Sequence, residues 1–313
     1  MTTARSRPTT RIQSDTVDEI AVITRACDEY PAQLAAVPSA PETLYVRGRL
    51  VADDALAVAI VGSRRATSYG LEVAERLGAT LGARGVTVVS GLARGIDSAA
   101  HRGALESGGR TIAVLGSGVD VIYPPENRRL AARIVESGAV ISQFAPGTRP
   151  LPYHFPERNR VIAGLTLAVV VVEAAEKSGA LITAGFAAEL GREVLAVPGR
   201  VNSPESRGAH RLIQDGAALV QDADEVIAAL PARWQACVKG TTGRDTRAGT
   251  APVERGDSGR VLAAIGEDPV TIDEVIERSG VAAGRATALL LELELAGRVR
   301  QLDGKRFARA AAG

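Results

Sequence analysis

The chain has 313 residues, 46% of them hydrophobic, and its 37 Lys and Arg against 36 Asp and Glu leave a net charge of +1. The length exceeds one typical domain of ~100–200 residues, so a large core plus a small satellite is expected, and no charge-free run approaches the ~20 residues that a membrane helix needs. No apolar signal core follows Arg5, Arg7 and Arg11, and Cys27 and Cys237 are the only cysteines, which argues against secretion, a disulfide framework and a cysteine metal site and makes the cytoplasm the expected location.

Residues 1–40 read as a Thr/Arg/Ser-rich tail followed by a short lead-in segment, too polar at its start to bury a core. From 41 to 235 apolar strands alternate with helices. Ala57 to Val61 is a strand ending in Gly62-Ser63-Arg64-Arg65, and a helix follows from about Thr67 to Ala83. Val86 to Val89 leads into Ser90-Gly91-Leu92-Ala93-Arg94-Gly95-Ile96-Asp97, again strand, glycine loop and helix. Thr111 to Leu115 leads into Gly116-Ser117-Gly118, and Tyr123-Pro124-Pro125-Glu126-Asn127 opens another helix with Pro and Glu in its first turn. The run Phe155-Pro156-Glu157-Arg158-Asn159-Arg160 precedes a strand from Leu167 to Val172, apolar enough to be covered on both faces. After it come Lys177-Ser178-Gly179 and a helix from Ala180 to Leu190.

Strands alternating with helices predict an α/β fold, an extended Rossmann-like parallel sheet whose ligands bind outside the carboxyl ends of the strands. Residues 236–258 read as a flexible linker, because the stretch KGTTGRDTRAGTAPVERGDS has no apolar periodicity. Residues 259–313 give three amphipathic helices, one capped by Thr271, and a hairpin of Arg298 to Leu302 with Arg306 to Ala308, which together make a winged helix. Its third helix carries Glu292 and Glu294 and only Arg285 near its start, the wrong charge for a helix laid in a major groove. The wing is basic through Arg298, Arg300, Lys305, Arg306 and Arg309, which leaves weak backbone contact as the alternative, but an auxiliary or protein-contact role is expected there.

The loop chemistry suits phosphate. Glycine lets a phosphate approach the backbone, a serine hydroxyl donates, and the guanidiniums of Arg64, Arg158 and Arg160 offer planar forks of donors. Lys177, Ser178 and Gly179 stand at a helix N-terminus, where free N–H groups and the helix dipole attract anions. Phe155 can stack under an unpaired base. The alternatives are surface ion pairs of Arg158 and Arg160 with Glu157 and Glu173, and a core role for Phe155 beneath Val161 and Ile162. With Lys177, Lys239 and Lys305 the only lysines, positive charge is almost all arginine, which favours forked contacts but equally reflects composition.

Other site types fit poorly. Gly116-Ser117-Gly118 lacks the third glycine of a dinucleotide fingerprint, no glycine loop precedes Lys177-Ser178, and Gly-x-Ser-x-Gly is absent. His101, His154 and His210 have no metalloprotease spacing, and His101 reads as a packing residue among Ala99, Ala100 and Ala104. No cofactor, metal or catalytic residue is expected.

The motifs at 60–67, 90–97 with Ala100-His101, Tyr123-Pro124, 155–160 and 178–183 together resemble the DNA-processing protein A family, also called Smf, from about Tyr45 to Leu230. The resemblance implies a non-enzymatic, homodimeric protein that binds single-stranded DNA, protects incoming strands during natural transformation and loads the RecA recombinase onto them. By position it implies a strand-binding pocket at Gly62, Ser63, Arg64, Phe155, Arg158, Asn159 and Arg160, to which the loop residues Arg65, Gly91, Gly95, Gly116, Gly118, Lys177, Ser178, Gly179 and Thr183 are added. Two departures stand out: Pro152, Tyr153 and His154 occupy a stretch where relatives often carry a base, and no helical domain precedes the core. The same architecture also resembles nucleoside-monophosphate phosphoribohydrolases, with Glu189 as a candidate helix-borne carboxylate, or else a solvated residue paired with Arg192.

Overall fold

In the computed structural model, which describes residues 19–240, 257–265, 270–295, 299–302 and 306–309, the chain divides into two units, 1–241 and 242–313. The strands of the first unit are β1 (Ala21–Thr24), β2 (Thr43–Gly48), β3 (Ala57–Val61), β4 (Thr87–Ser90), β5 (Thr111–Val114), β6 (Ala139–Ser142), β7 (Ala168–Val171), β8 (Glu193–Ala196) and β9 (Ala218–Leu219). They form one sheet in the order β1-β2-β6-β5-β4-β3-β7-β8-β9, parallel from β6 to β9, with β1 and β2 antiparallel at one edge.

Helices cover both faces: α1 (Ala32–Ala35), α2 (Ser68–Ala83), α3 (Ile96–Glu106), α4 (Arg128–Ser137), α5 (His154–Leu165), α6 (Gly179–Glu189), α7 (Arg207–Gln214), α8 (Ala223–Ala229) and α9 (Ala232–Gln235). The period-2 alternation of β3 explains the layering. Ala57, Ala59 and Val61 join a core with Val161 and Ile162 of α5 and Ala184 of α6, whereas Val58 and Ile60 join Leu77 of α2 and Ala100 of α3. Strand β3 is therefore apolar and buried throughout, as a doubly covered strand must be. Between α2 and α3 the backbones meet closely, since a Cβ at Gly78 would strike the Ala100 carbonyl and one at Gly103 the Glu75 carbonyl.

The expected domain start at residue 41 moves earlier. Strand β1 pairs with β2, Ala21 opposite Val46, and Tyr30, Leu34 and Val37 are buried in the core. An edge strand needs no doubly apolar run, and three of the four residues of β1 are exposed, so its signal was weak. At the other end, residues 236–240 also belong to this unit, with Val238 packed on the core and Lys239 N–H donating to the Arg84 carbonyl at 3.0 Å. Most of the expected linker and residues 1–18 lie outside the described residues; Asp257 and Ser258 fall in a helix.

The second unit contains α10 (Asp257–Ala264), β10 (Val270–Thr271), α11 (Ile272–Ser279), α12 (Ala283–Leu295), β11 (Val299–Leu302) and β12 (Arg306–Arg309), with strand order β10-β12-β11. Val261, Ile265, Val275, Leu289, Leu293 and Phe307 form its core. Thr271 and Glu274 cap α11 reciprocally, and Gly280 ends it in the left-handed conformation. This is the winged helix expected from the periodicity. Arg298, Asp303, Gly304 and Lys305 of the wing lie outside the described residues.

Candidate nucleic-acid interface

Strand β3 connects through α2 to β4 on one side, and the chain later returns through α5 to β7 on the other, so the strand order reverses at β3. Loops diverge at such a point and leave a crevice beyond the carboxyl ends. Here it is a cleft of about 520 Å³ that includes Gly62 to Arg65, Asp97, Phe155, Arg158, Asn159, Lys177 to Gly179, Thr183 and Glu205 in its wall.

The β3–α2 loop is anchored below and charged above. Ser63 N–H donates to the Glu173 carbonyl at 2.7 Å, while the buried Glu173 carboxylate accepts from the Thr67 N–H at 2.9 Å and the Thr67 hydroxyl at 2.6 Å. Glu173 thereby caps α2 and pairs with neither Arg158 nor Arg160. The Arg64 and Arg65 side chains are exposed and make no hydrogen bond or ion pair among the described residues, while the Arg65 N–H donates to the Ser63 hydroxyl at 3.1 Å; Arg64 lies 5.1 Å from the centre of the Phe155 ring. Across the cleft Ser178 caps α6, accepting from Ala180 N–H at 3.3 Å, next to exposed Lys177 and Gly179. A Cβ at Gly179 would meet no atom within 4 Å, so this helix end is open to a ligand. Thr183, one turn on, is buried in the wall.

Other glycines serve packing within the protein. A Cβ at Gly91 would strike the Arg158 guanidinium, one at Gly95, whose φ is +76°, the Ser63 carbonyl, and one at Gly62 the Ile96 side chain. The β4–α3 loop is held from within: Asp97 accepts from Gly91 N–H at 3.1 Å and Ala93 N–H at 3.3 Å. Burial pushes the Asp97 carboxyl upward, opposed by the nearby Arg158 and by those N–H groups. Gly116 and Gly118 are not in the cleft wall. Gly116 underlies Phe155, where a Cβ would stand 3.1 Å from Cδ1, and Gly118 N–H donates to the Thr148 carbonyl at 2.9 Å.

The run from Phe155 to Arg160 forms the first turns of α5, with Pro156 in a first turn that needs no N–H from it. Helical spacing then separates the residues. Phe155, Arg158, Asn159 and Ile162 face the cleft, whereas Arg160 is absent from its wall: it lies 4.2 Å from the Phe186 ring centre and 3.7 Å from the Glu189 carboxylate. Arg158 is only 4% exposed and donates to the Gly91 and Val114 carbonyls and to Asn159 Oδ1 at 3.2 Å. Burial lowers its guanidinium to about 10, against the pull of Asp97. Asn159 in turn donates to the Gly179 carbonyl at 3.3 Å, tying α5 to the mouth of α6.

Glu205 was not anticipated. Its carboxylate accepts from the Ser63 hydroxyl at 2.8 Å inside the cleft, brought there by a turn at Pro204–Ser206 that no local pattern marks. Glu189 stands at the far end of α6, ~15 Å from the cleft end of that helix, with its side chain 63% exposed. It pairs with Arg160, and Arg192 donates instead to the Gln33 and Gly164 carbonyls. His101 is fully buried between α3 and β5: Thr111 Oγ1 lies 2.6 Å from Nδ1 and itself donates to the Val88 carbonyl at 2.7 Å, which makes the ring N–H the donor. Burial lowers this imidazole to about 3, the state of a packing histidine. Among the described residues no cluster of His, Cys, Asp or Glu could hold a metal, and no helix is long and apolar enough to cross a membrane.

Comparison with known proteins places this geometry in a family. A family model described as DNA recombination-mediator protein A matches residues 21–231, and one described as the DprA winged helix domain matches 246–305. Protein Smf of Escherichia coli is 42% identical over 280 residues, covering 88% of this chain and 74% of that one. The X-ray structure of DNA processing protein A from Streptococcus pneumoniae aligns with a TM-score of 0.63 at 42% identity, over 69% of this chain and 76% of that one. A Helicobacter pylori DNA processing protein A, whose structure is described in terms of its single-stranded DNA binding mode, aligns at 0.60 and 28% identity, over 67% and 94% of the two chains. With its Rossmann-like sheet, its winged helix and these matches over most of its length, the chain belongs to the DNA recombination-mediator protein A family, the DprA/Smf proteins.

Proposed function

We propose that the cleft binds an unpaired DNA strand, and that the protein protects such strands and hands them to the RecA recombinase during natural transformation and recombination. The observation that carries this reading is the pair of cations with no ion-pair partner among the described residues, Arg64 and Lys177, on opposite lips of a cleft that also presents the open amino end of α6 and the edge of an aromatic ring. Phosphates would meet Arg64, Arg65, Lys177, Ser178 and the N–H groups at Gly179, with Gly62, Ser63 and Thr183 shaping the wall. Arg158, Asn159, Gly91, Gly95 and Gly116 hold these groups in place from behind, and Arg160 and Gly118 serve outside the cleft. Such contacts position a backbone without reading bases. The relative from Helicobacter pylori, described as binding single-stranded DNA, supports the same assignment here. We assign no reaction to the protein, since the carboxylate of the phosphoribohydrolase reading lies outside the cleft, and we place it in the cytoplasm as a homodimer.

The hand-over is tested with the full chain, which is expected to shield a single-stranded oligonucleotide from an exonuclease and to relieve the block that a single-strand-binding protein imposes on RecA strand exchange. Shielding without relief would leave a protective role alone. Glu205 supplies a second test. Its carboxylate sets a negative charge beside the Ser63 hydroxyl that a phosphate would use, so Glu205→Gln, which removes the charge, is expected to tighten strand binding by about 0.2–1 kcal/mol, the range of an exposed charge pair. An unchanged gel-shift midpoint would mean that Glu205 does not face the strand.

A further inference from the structure

Resting on the strand-binding reading, we infer that Tyr123 is a second base-stacking platform, which takes the nucleotide next to the one at Phe155. The helix-opening motif at 123–127 places Tyr123 and Pro124 beside the cleft, in a groove completed by Arg64, Ala93, Arg94 and Phe155. Tyr123 is 42% exposed, its ring centre 6.0 Å from that of Phe155 and its plane tilted by 48°. Phe155 itself is half covered: Gly116 backs it, Arg158 lies 5.9 Å and Arg64 5.1 Å from its centre. A base arriving there stacks on Arg64 or displaces it. Tyr123 is the ring with the more open face.

The loop that carries Tyr123 is fixed. Asn127 Nδ2 donates to the Leu92 carbonyl at 2.8 Å and to Ser98 Oγ at 2.9 Å, and the Ser117 hydroxyl donates to the Val121 carbonyl at 2.6 Å. Leu92 is itself held in the left-handed region, at φ +56°. An exposed ring on a fixed loop, followed by Pro124 and Pro125, has little entropy to lose on binding. Arg94 is paired with Glu126, which leaves Arg64, over the Phe155 ring, as the exposed cation of this groove without an ion-pair partner among the described residues. Bases resting on two rings whose centres are 6.0 Å apart and whose planes are tilted by 48° cannot keep the ~3.4 Å parallel spacing of a stacked strand. They must be splayed, and only an unpaired strand allows that.

The test is the affinity of the full chain for oligo-dT carrying 2-aminopurine at successive positions, whose fluorescence is quenched on stacking. Tyr123→Ala and Tyr123→Leu are expected to lose on the order of 5- to 150-fold in single-strand affinity together with the quenching at one position, while Tyr123→Phe stays within about twofold. Leucine fills the space beside Phe155 without a π-face, so it keeps the question answerable should the alanine variant unfold. Unchanged affinity and quenching in Tyr123→Leu, or equal losses in Tyr123→Leu and Tyr123→Phe with a lowered melting temperature, would overturn the inference. If the wild-type protein failed to bind single strands at all, the strand-binding reading itself would fall, and the two failures are thus distinct.

Discussion

Arg158→Ala is expected to destabilise the first unit by roughly 3–5 kcal/mol, the usual cost of removing one partner from a buried charged network. The guanidinium is 4% exposed and satisfies the Gly91 and Val114 carbonyls at the ends of β4 and β5. Its loss would orphan both carbonyls and leave the Asp97 carboxyl buried without its neighbouring positive charge. Arg158→Lys keeps a charge but not the fork, so it should recover only part of the loss. Urea unfolding of the three proteins decides the matter. Full stability in Arg158→Ala with weakened strand binding would return this residue to the ligand.

Arg64→Ala should behave in the opposite way. The side chain is exposed and makes no hydrogen bond or ion pair among the described residues, with the Phe155 ring beneath it, so stability should move by no more than about 0.5 kcal/mol. Single-strand affinity should fall for every sequence alike, and the slope of log affinity against log salt should shrink by roughly 0.7 for each phosphate that the protein no longer neutralises. Adding Lys177→Ala should remove a second such step. A slope unmoved in the folded double variant would take both lips of the cleft out of the binding surface.

These two arginines stand on equal terms in the sequence, and the fold separates them. The motif from Phe155 to Arg160 announced a ring and two cations, but a helix turns Arg158 inward and Arg160 to the far side, where Phe186 and Glu189 meet it. Doubly apolar strands, glycine loops and the cap at Ser178 were legible because each depends on residues adjacent in the chain. Strand β1 was not, since an edge strand buries little. Glu205 could not be found that way either, because its partner Ser63 is 142 residues distant in the chain. The loop glycines read as giving a phosphate access to the backbone, yet at Gly62, Gly91 and Gly95 it is Ile96, Arg158 and Ser63 that approach.

The winged helix illustrates the same division. Its helices and the capping pair of Thr271 and Glu274 follow from the sequence alone. Its partner does not. Glu292 is exposed on α12, which opposes an approach to a phosphate backbone from that part of the helix, and a protein contact remains the reading that the charge favours.

The central claim is that the cleft takes an unpaired strand, and it is tested most directly by titrating the wild-type protein with a single-stranded oligonucleotide and a duplex of equal length over a series of salt concentrations. Tighter binding of the single strand is expected at every salt concentration, with affinity falling as salt rises, because the protein's net charge of +1 offers no general attraction while Arg64, Arg65 and Lys177 line the cleft. Duplex bound as tightly as single strand, or single-strand affinity indifferent to salt, would contradict it.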